Sequence, residues 1–243
     1  MSMQTTHTSP KKYARLGGIL YLINIVFGFF AIAYVESKIM VGNDPAATAN
    51  NIIAHNFLYR LGIVAHIIIL LTNVPLALVF YRLFRIVNKN ATLLVIFFTV
   101  VGTAIESGNL LNQFEPLLLL RKCSPAGSLS QEQIHDLVYT LLRLKTVGFH
   151  LSLVFYGFYG LSAGYLIFRS AFLPKVIGIF LAIGGLCYIT YSFASFLVPK
   201  FAASLVPYIQ IPSGLAELTF CLWLLIAGVN SKKWKEQEQM AIS

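Results

Sequence analysis

The sequence predicts an all-α fold: a polytopic integral membrane protein, built as a six-helix transmembrane bundle with N-terminus and C-terminus inside. Three observations carry this expectation. Hydrophobic residues make up 57% of the chain and charged residues 11%, whereas soluble domains carry about 25% charged residues; a soluble fold would lack the polar surface to cover itself. Uncharged runs recur at Leu16–Val35, Leu61–Tyr81, Asn90–Ile105, Thr146–Phe168 and Val176–Pro199, and then on either side of Glu217. Each run, or pair of runs joined across one glutamate, is long enough for a hydrocarbon core that takes about 20 helical residues to cross. Lastly, the basic residues sit at the ends of these runs rather than within them.

That last pattern also sets an orientation. With the N-terminus inside, the inner set is Lys11, Lys12, Arg15, Arg82, Arg85, Lys89, Arg169, Lys175, Lys232, Lys233 and Lys235. The outer set is Lys38, Arg60, Arg121, Lys122, Arg143, Lys145 and Lys200. Eleven against seven follows the positive-inside bias. The outer set also shares its side with Glu36, Asp44, Glu115, Glu132 and Asp136. A net charge of +9 therefore reads as membrane topology and not as a nucleic-acid surface. The expected partners are membrane lipids and a small-molecule ligand, with a homo-oligomer left open, and no cofactor is implied.

In chain order, residues 1–12 form an inner polar tail, and the membrane domain covers 13–230. Span one is expected near 13–35. Its apolar run exceeds the usual h-region of a signal peptide, so it reads as an uncleaved span despite Ala31-Ile-Ala33. Gly17, Tyr21, Asn24 and Gly28 share one face of it, the mark of a close helix seam. Glu36–Phe57 is an outer loop with Gly42-Asn-Asp-Pro45 as turn chemistry and an interfacial helix from Pro45. Span two, about 58–81, aligns Gly62, His66, Ile69 and Asn73, and Pro75 interrupts its hydrogen-bond ladder. Span three, about 91–114, ends at Pro116. Within the next outer loop Ser124–Ser128 reads as a turn, and Ser130-Gln-Glu-Gln133 as a capping box. Its helix should continue into span four, about 146–168, where Gly160 and Gly164 form a GxxxG pair. Long basic side chains at its outer end, Arg143 and Lys145, would snorkel outward. Span five, about 176–198, starts after Pro174, and Gly184-Gly185-x-x-Tyr188 echoes Gly17-Gly18-x-x-Tyr21. Span six, about 207–229, carries Glu217, and 231–243 is an inner tail. Cys123, Cys187 and Cys221 form no CxxC pair, so neither a disulfide framework nor a thiolate zinc site is expected.

Several stretches resemble a known family. They include Ala14-Arg15-x-Gly17-Gly18-x-x-Tyr21-Leu, Asn43-Asp44-x-x-x-Thr48-Ala49-x-Asn51-Ile, Gly148-Phe-His150, Arg169-Ser170-x-x-Leu-Pro174-Lys175 and Glu217-Leu-Thr-Phe-Cys-Leu-Trp223. Together these are similar to a bacterial multi-pass membrane family known only as a domain of unknown function, number four-three-eight-six. The likeness spans roughly residues 13–230. It implies a bacterial cytoplasmic (inner) membrane protein and carries over no activity and no catalytic residue.

Candidate functional residues come from polarity at depth. Gly102, Glu106, Asn109 and Gln113 fall at steps of 4, 3 and 4, one stripe on a helix, while Phe97, Val101 and Ile105 can face outward. A carboxylate at helix-centre depth costs about 2.5–3.5 kcal/mol on insertion scales, so it should face protein or water. At about 1.5 Å of rise per residue, His66 and His150 occupy the same outer layer, Lys145 caps it and Glu217 lies deeper. The candidate polar cup is thus Glu106, Asn109, Gln113, His66, His150, Lys145 and Glu217. Glu106 is expected within reach of His66, His150 or Lys145, and Glu217 to meet Asn24, Tyr21 or Tyr188. Three readings remain open. The polar residues glue helices together, with Glu106 paired to Lys145, Arg143 or a histidine. Alternatively they bind or transport a small or amphipathic ligand. In the last reading they form a membrane-embedded, metal-dependent hydrolase-like enzyme with His66, His150 and Glu106 as ligands or acid/base groups. No His-Glu-x-x-His and no Gly-x-Ser-x-Gly supports that last case.

Overall fold

The computed structural model describes residues 9–121 and 129–242, and in these every regular element is helical. The turn expected at Ser124–Ser128 and the position of Cys123 lie outside the described residues. The helices are α1 (Pro10–Gly28), a wide π-helical stretch Phe29–Val35, α2 (Glu36–Ile39), α3 (Pro45–Ala54), α4 (Asn56–Phe84) and α5 (Lys89–Asn109). After these come α6 (Leu111–Leu119), α7 (Gln131–Arg169), α8 (Lys175–Leu197), α9 (Pro199–Leu205), α10 (Gln210–Ile226) and α11 (Ser231–Ile242). Among the described residues five stretches are long and apolar enough to cross a membrane: 10–39, 56–84, 89–119, 131–169 and 175–197. A sixth exists if α9 and α10, bent by 52° at their junction, count as one broken span.

Local sequence explains most boundaries. Asn43 takes the left-handed conformation with φ 58°, which asparagine tolerates better than most residues. Asp44 then caps α3, accepting from the Ala47 N–H at 2.8 Å, with Pro45 at the first helical position. Ser130 and Gln133 form the reciprocal capping box: Ser130 N–H donates to Gln133 Oε1 at 2.8 Å, and Gln133 N–H to Ser130 Oγ at 3.2 Å. From there α7 runs unbroken for 39 residues. Pro174 is the N-cap of α8, with extended backbone.

Other boundaries differ from expectation. The first helix begins at Pro10 and continues past Val35 through α2, so Glu36 belongs to a helix and not to a loop. Span three does not stop at Pro116, which lies inside α6. Residues 231–242, expected as a tail, form α11. Span six is not one helix over 207–229. Val206 is extended at φ −81° and ψ 138°, the conformation forced on a residue before proline, so α9 ends at Leu205 and α10 starts at Gln210.

The chain divides into two compact units, residues 1–22, 73–100 and 153–243 (unit 1) and residues 23–72 and 101–152 (unit 2). In unit 1 the glycines expected to allow close approach do so. A Cβ at Gly164 would lie 2.5 Å from Gly178 O, at Gly157 2.8 Å from Gly185 O, and at Gly160 3.1 Å from Gly185 Cα; this is where α7 and α8 cross. Gly18 leaves equally little room before Leu225 of α10. An aromatic group, Tyr21, Phe80, Tyr159 and Phe220, fills the centre of unit 1 with ring centroids 5.7–6.4 Å apart. In unit 2 the core is Val35, Ile39, Ala49, Ile52, Tyr59, Ile63, Leu117, Val138 and Leu142. Here Val35 packs on Gly62, whose Cβ would stand 3.0 Å from Val35 Cγ1.

Gly164→Leu is expected to lower stability by about 1–3 kcal/mol, because the obstructing atoms are backbone. Gly108→Ala, with nothing within 4 Å of the new carbon, should be neutral or slightly stabilising. Thermal midpoints of the two variants in detergent check this. Equal midpoints would mean that α7 and α8 do not cross at Gly164.

Candidate functional site

Six of the seven candidate residues belong to unit 2, and they are built from helices α4 to α7. Asn109 ends α5, and the chain breaks its helix at Leu110 before α6 begins. The break does not turn the stripe outward: Asn109 and Gln113 are both buried. The Asn109 amide donates to Lys145 O at 2.8 Å, and its Oδ1 accepts from Asn112 Nδ2 at 3.1 Å. Gly148 makes room for it, since a Cβ there would fall 2.3 Å from Asn109 Oδ1. Glu106 accepts from Ser152 Oγ at 2.7 Å and also adjoins Asn109. A hydroxyl from α7 and an amide one turn along α5 thus answer the carboxylate.

Lys145 takes a different partner from the one expected. Its ammonium is in an ion pair with Glu36, and the lysine is buried while Glu36 is partly exposed. Snorkelling is therefore the wrong description of Lys145; Arg143, two residues earlier on α7, is the exposed one. The reason lies in α2. The helix carries on beyond Val35, and this places a carboxylate where the lysine side chain can end without leaving the protein. Glu36 entered the sequence reading only as a loop charge, and nothing local marks its role. The same holds for Tyr59, whose hydroxyl donates to Gln113 O at 2.8 Å, and for Ser152.

Between these residues lies a cavity of about 20 Å³, lined by Glu36, Tyr59, Gln113, Lys145 and Thr146 together with Val35, Ile39, Met40 and Leu142. That is room for about one water molecule. His66, buried on α4, adjoins Gln113. Neither His66 Nδ1 nor Gln113 Oε1 makes a hydrogen bond of regular geometry. Buried polar atoms are rarely left so, and each costs about 1–3 kcal/mol when unsatisfied. His150 is half-buried and stacks obliquely on its neighbour Phe149.

Glu217 belongs to unit 1, so it is described apart from the other six. It lies on α10 facing α8, where Tyr188 Oη donates to Glu217 Oε1 at 3.1 Å. This is one of the partners the spacing suggested. A second small cavity, about 10 Å³, lies among Glu217, Tyr188, Tyr156, Tyr159 and Ser213. Ser213 Oγ donates to Gly184 O at 2.8 Å and draws α10 against α8. Tyr21 and Tyr159 adjoin one another, but neither hydroxyl makes a regular hydrogen bond. Asn24, another suggested partner of Glu217, falls in unit 2 and accepts from the Thr72 hydroxyl. Among the described residues no three His, Cys, Asp or Glu side chains are grouped so as to hold a metal ion.

Replacing Glu36 by Leu leaves a buried ammonium without its counter-charge and should lower stability by about 1–3 kcal/mol. Adding Lys145→Met should restore most of that loss, since both charges are then gone. A thermal double-mutant cycle reads the coupling. Strictly additive effects would show that the pair does not form.

Comparison with curated proteins finds no match, and comparison with solved structures finds none either. One family model matches residues 16–228. The chain belongs to the family described as a domain of unknown function, DUF4386.

Proposed function

We propose that this is a bacterial inner-membrane protein that crosses the bilayer six times, with α9 and α10 forming one broken span and both ends in the cytoplasm. The distribution of charge supports the orientation. Unit 1 carries 12 of the 18 lysines and arginines but only 3 of the 9 acidic residues; unit 2 carries 6 of each. The whole net charge of +9 therefore belongs to unit 1, which also contains both chain ends. All eleven residues assigned to the inner set fall within it. A cysteine introduced at Ser231 should react with an impermeant maleimide only after the membrane is opened. Reaction in intact cells would reverse the orientation.

Within that frame we propose that the polar layer of unit 2 binds a small species that donates hydrogen bonds: water, ammonium or a primary amine of similar size. The observation that carries this is the pair of buried acceptor-capable atoms, His66 Nδ1 and Gln113 Oε1, left without regular hydrogen bonds, where Gln113 lines a cavity and His66 adjoins Gln113. Side chains that only hold helices together are as a rule paired within the protein. Glu106, Asn109 and Lys145 meet that description, each answered by another part of the protein. The working atoms of the layer are then His66 and Gln113, with Glu36, Tyr59 and Lys145 around them. A cavity of about 20 Å³ favours a ligand of one or two heavy atoms over an amphipathic one. For a larger substrate, the Lys145–Glu36 pair would first have to open.

The test is a titration of purified protein with ammonium chloride, methylammonium chloride and sodium chloride at equal ionic strength, read as thermal midpoint. Ammonium should stabilise more than sodium, and His66→Phe with Gln113→Leu should remove the difference. Glu106→Gln should leave it intact, because that carboxylate is already engaged. Identical curves for all three salts would favour a purely structural layer.

A further inference from the structure

We propose that unit 1 holds a binding site for a phosphate group, in the groove between the turn joining α7 to α8 and the C-terminal helix α11. The groove is built by the way α11 is returned to the body of unit 1. Helix α10 closes at Gly228, whose φ of +68° is open to glycine and strained for other residues. Its N–H donates to Trp223 O at 2.8 Å. Asn230 Oδ1 then caps α11, accepting from the N–H groups of Lys232 and Lys233, both at 3.2 Å. Three long-range bonds tie α11 in place: Asn230 N–H to Phe172 O at 3.2 Å, Trp234 Nε1–H to Leu83 O at 3.0 Å, and Ala171 N–H to Gln237 Oε1 at 3.1 Å. A short polar helix of this kind gains little by folding alone. Its attachment at three points leaves an open groove of about 670 Å³.

Three cations from different elements line the groove: Arg169, the last residue of α7, Lys175, the first of α8, and Lys233 of α11; one carboxylate, Glu236, stands among them. The Lys175 ammonium lies over the Phe168 ring, 5.4 Å from its centroid. Cations gathered from three elements suit a compact anion that accepts from several sides, as a phosphate does. Position points the same way. Arg169 and Lys175 stand where two apolar runs end, the level at which a bilayer presents its phosphates. The phosphate could belong to an anionic lipid headgroup or to a soluble compound, and the two sources are separable.

The full-length protein in neutral detergent would be titrated with phosphatidylglycerol, with phosphatidylcholine, and with inorganic phosphate, following the thermal midpoint. Stabilisation by phosphatidylglycerol above phosphatidylcholine assigns the site to a lipid headgroup; stabilisation by inorganic phosphate alone assigns it to a soluble phosphate. Each of Arg169→Gln, Lys175→Gln and Lys233→Gln should raise the half-saturating concentration about fivefold. Lys232→Gln with Lys235→Gln, on the same helix but away from the groove, should change it far less. Lys233 is exposed, so its variant is expected to fold even if the two at the turn do not. No preference for either phosphate probe, or equal weakening by the Lys232 and Lys235 variant, overturns the proposal.

Discussion

A polar side chain inside an apolar span has to be answered by another part of the protein, because the surrounding hydrocarbon supplies no partner. Much of the packing is legible as a response to that constraint. Glu106 is met by Ser152, Asn109 by Lys145 O, Lys145 by Glu36, Asn24 by Thr72, Ser213 by Gly184 O and Glu217 by Tyr188. Such contacts need helices that come close, which the glycines permit. Gly148 exists as a glycine beside Asn109 for the same reason that Gly164 does beside Gly178: any side chain would occupy the place of a neighbouring group.

Against this background the exceptions carry the information. Most buried polar groups among the described residues are paired, so His66 Nδ1 and Gln113 Oε1 in unit 2, and the hydroxyls of Tyr21 and Tyr159 in unit 1, stand out. Gln113 lines a cavity walled by a lysine, a glutamate and a tyrosine hydroxyl, and His66 adjoins Gln113. In unit 1 Tyr159 lines the smaller cavity beside Glu217, and with Tyr21 it adds packing to a group already dominated by Phe80 and Phe220. The two units thus differ in kind: one is neutral and holds the polar layer, the other carries the net charge and the glycine-lined helix crossings.

What the sequence made legible was local. The capping box at Ser130 and Gln133, the turn chemistry of Gly42 to Pro45, and the close-packing glycines of α7 and α8 each rest on residues a few positions apart. Tyr188 as a partner of Glu217 was also readable, since both lie at known depths on neighbouring spans. Depth alone could not say which cation meets which carboxylate. Glu36 and Lys145 are 109 residues apart, and their meeting depends on the first helix continuing past Gly28 through a π-helical stretch. Span six failed in a different way. An apolar run reads as one straight helix unless the residue before a proline, here Val206 before Pro207, is allowed to decide. The helix α11 was missed because its sequence is polar, and its order comes from three contacts with distant residues.

The central claim is that the polar layer of unit 2 is closed on itself except at His66 and Gln113. An experimental density map of the protein purified with ammonium present tests it directly. The account predicts an ordered peak in the cavity bounded by Glu36, Tyr59, Gln113 and Lys145, within hydrogen-bonding distance of Gln113 Oε1. It would be contradicted by a map in which the His66 imidazole and the Gln113 amide bond squarely to each other and the space beside them is empty.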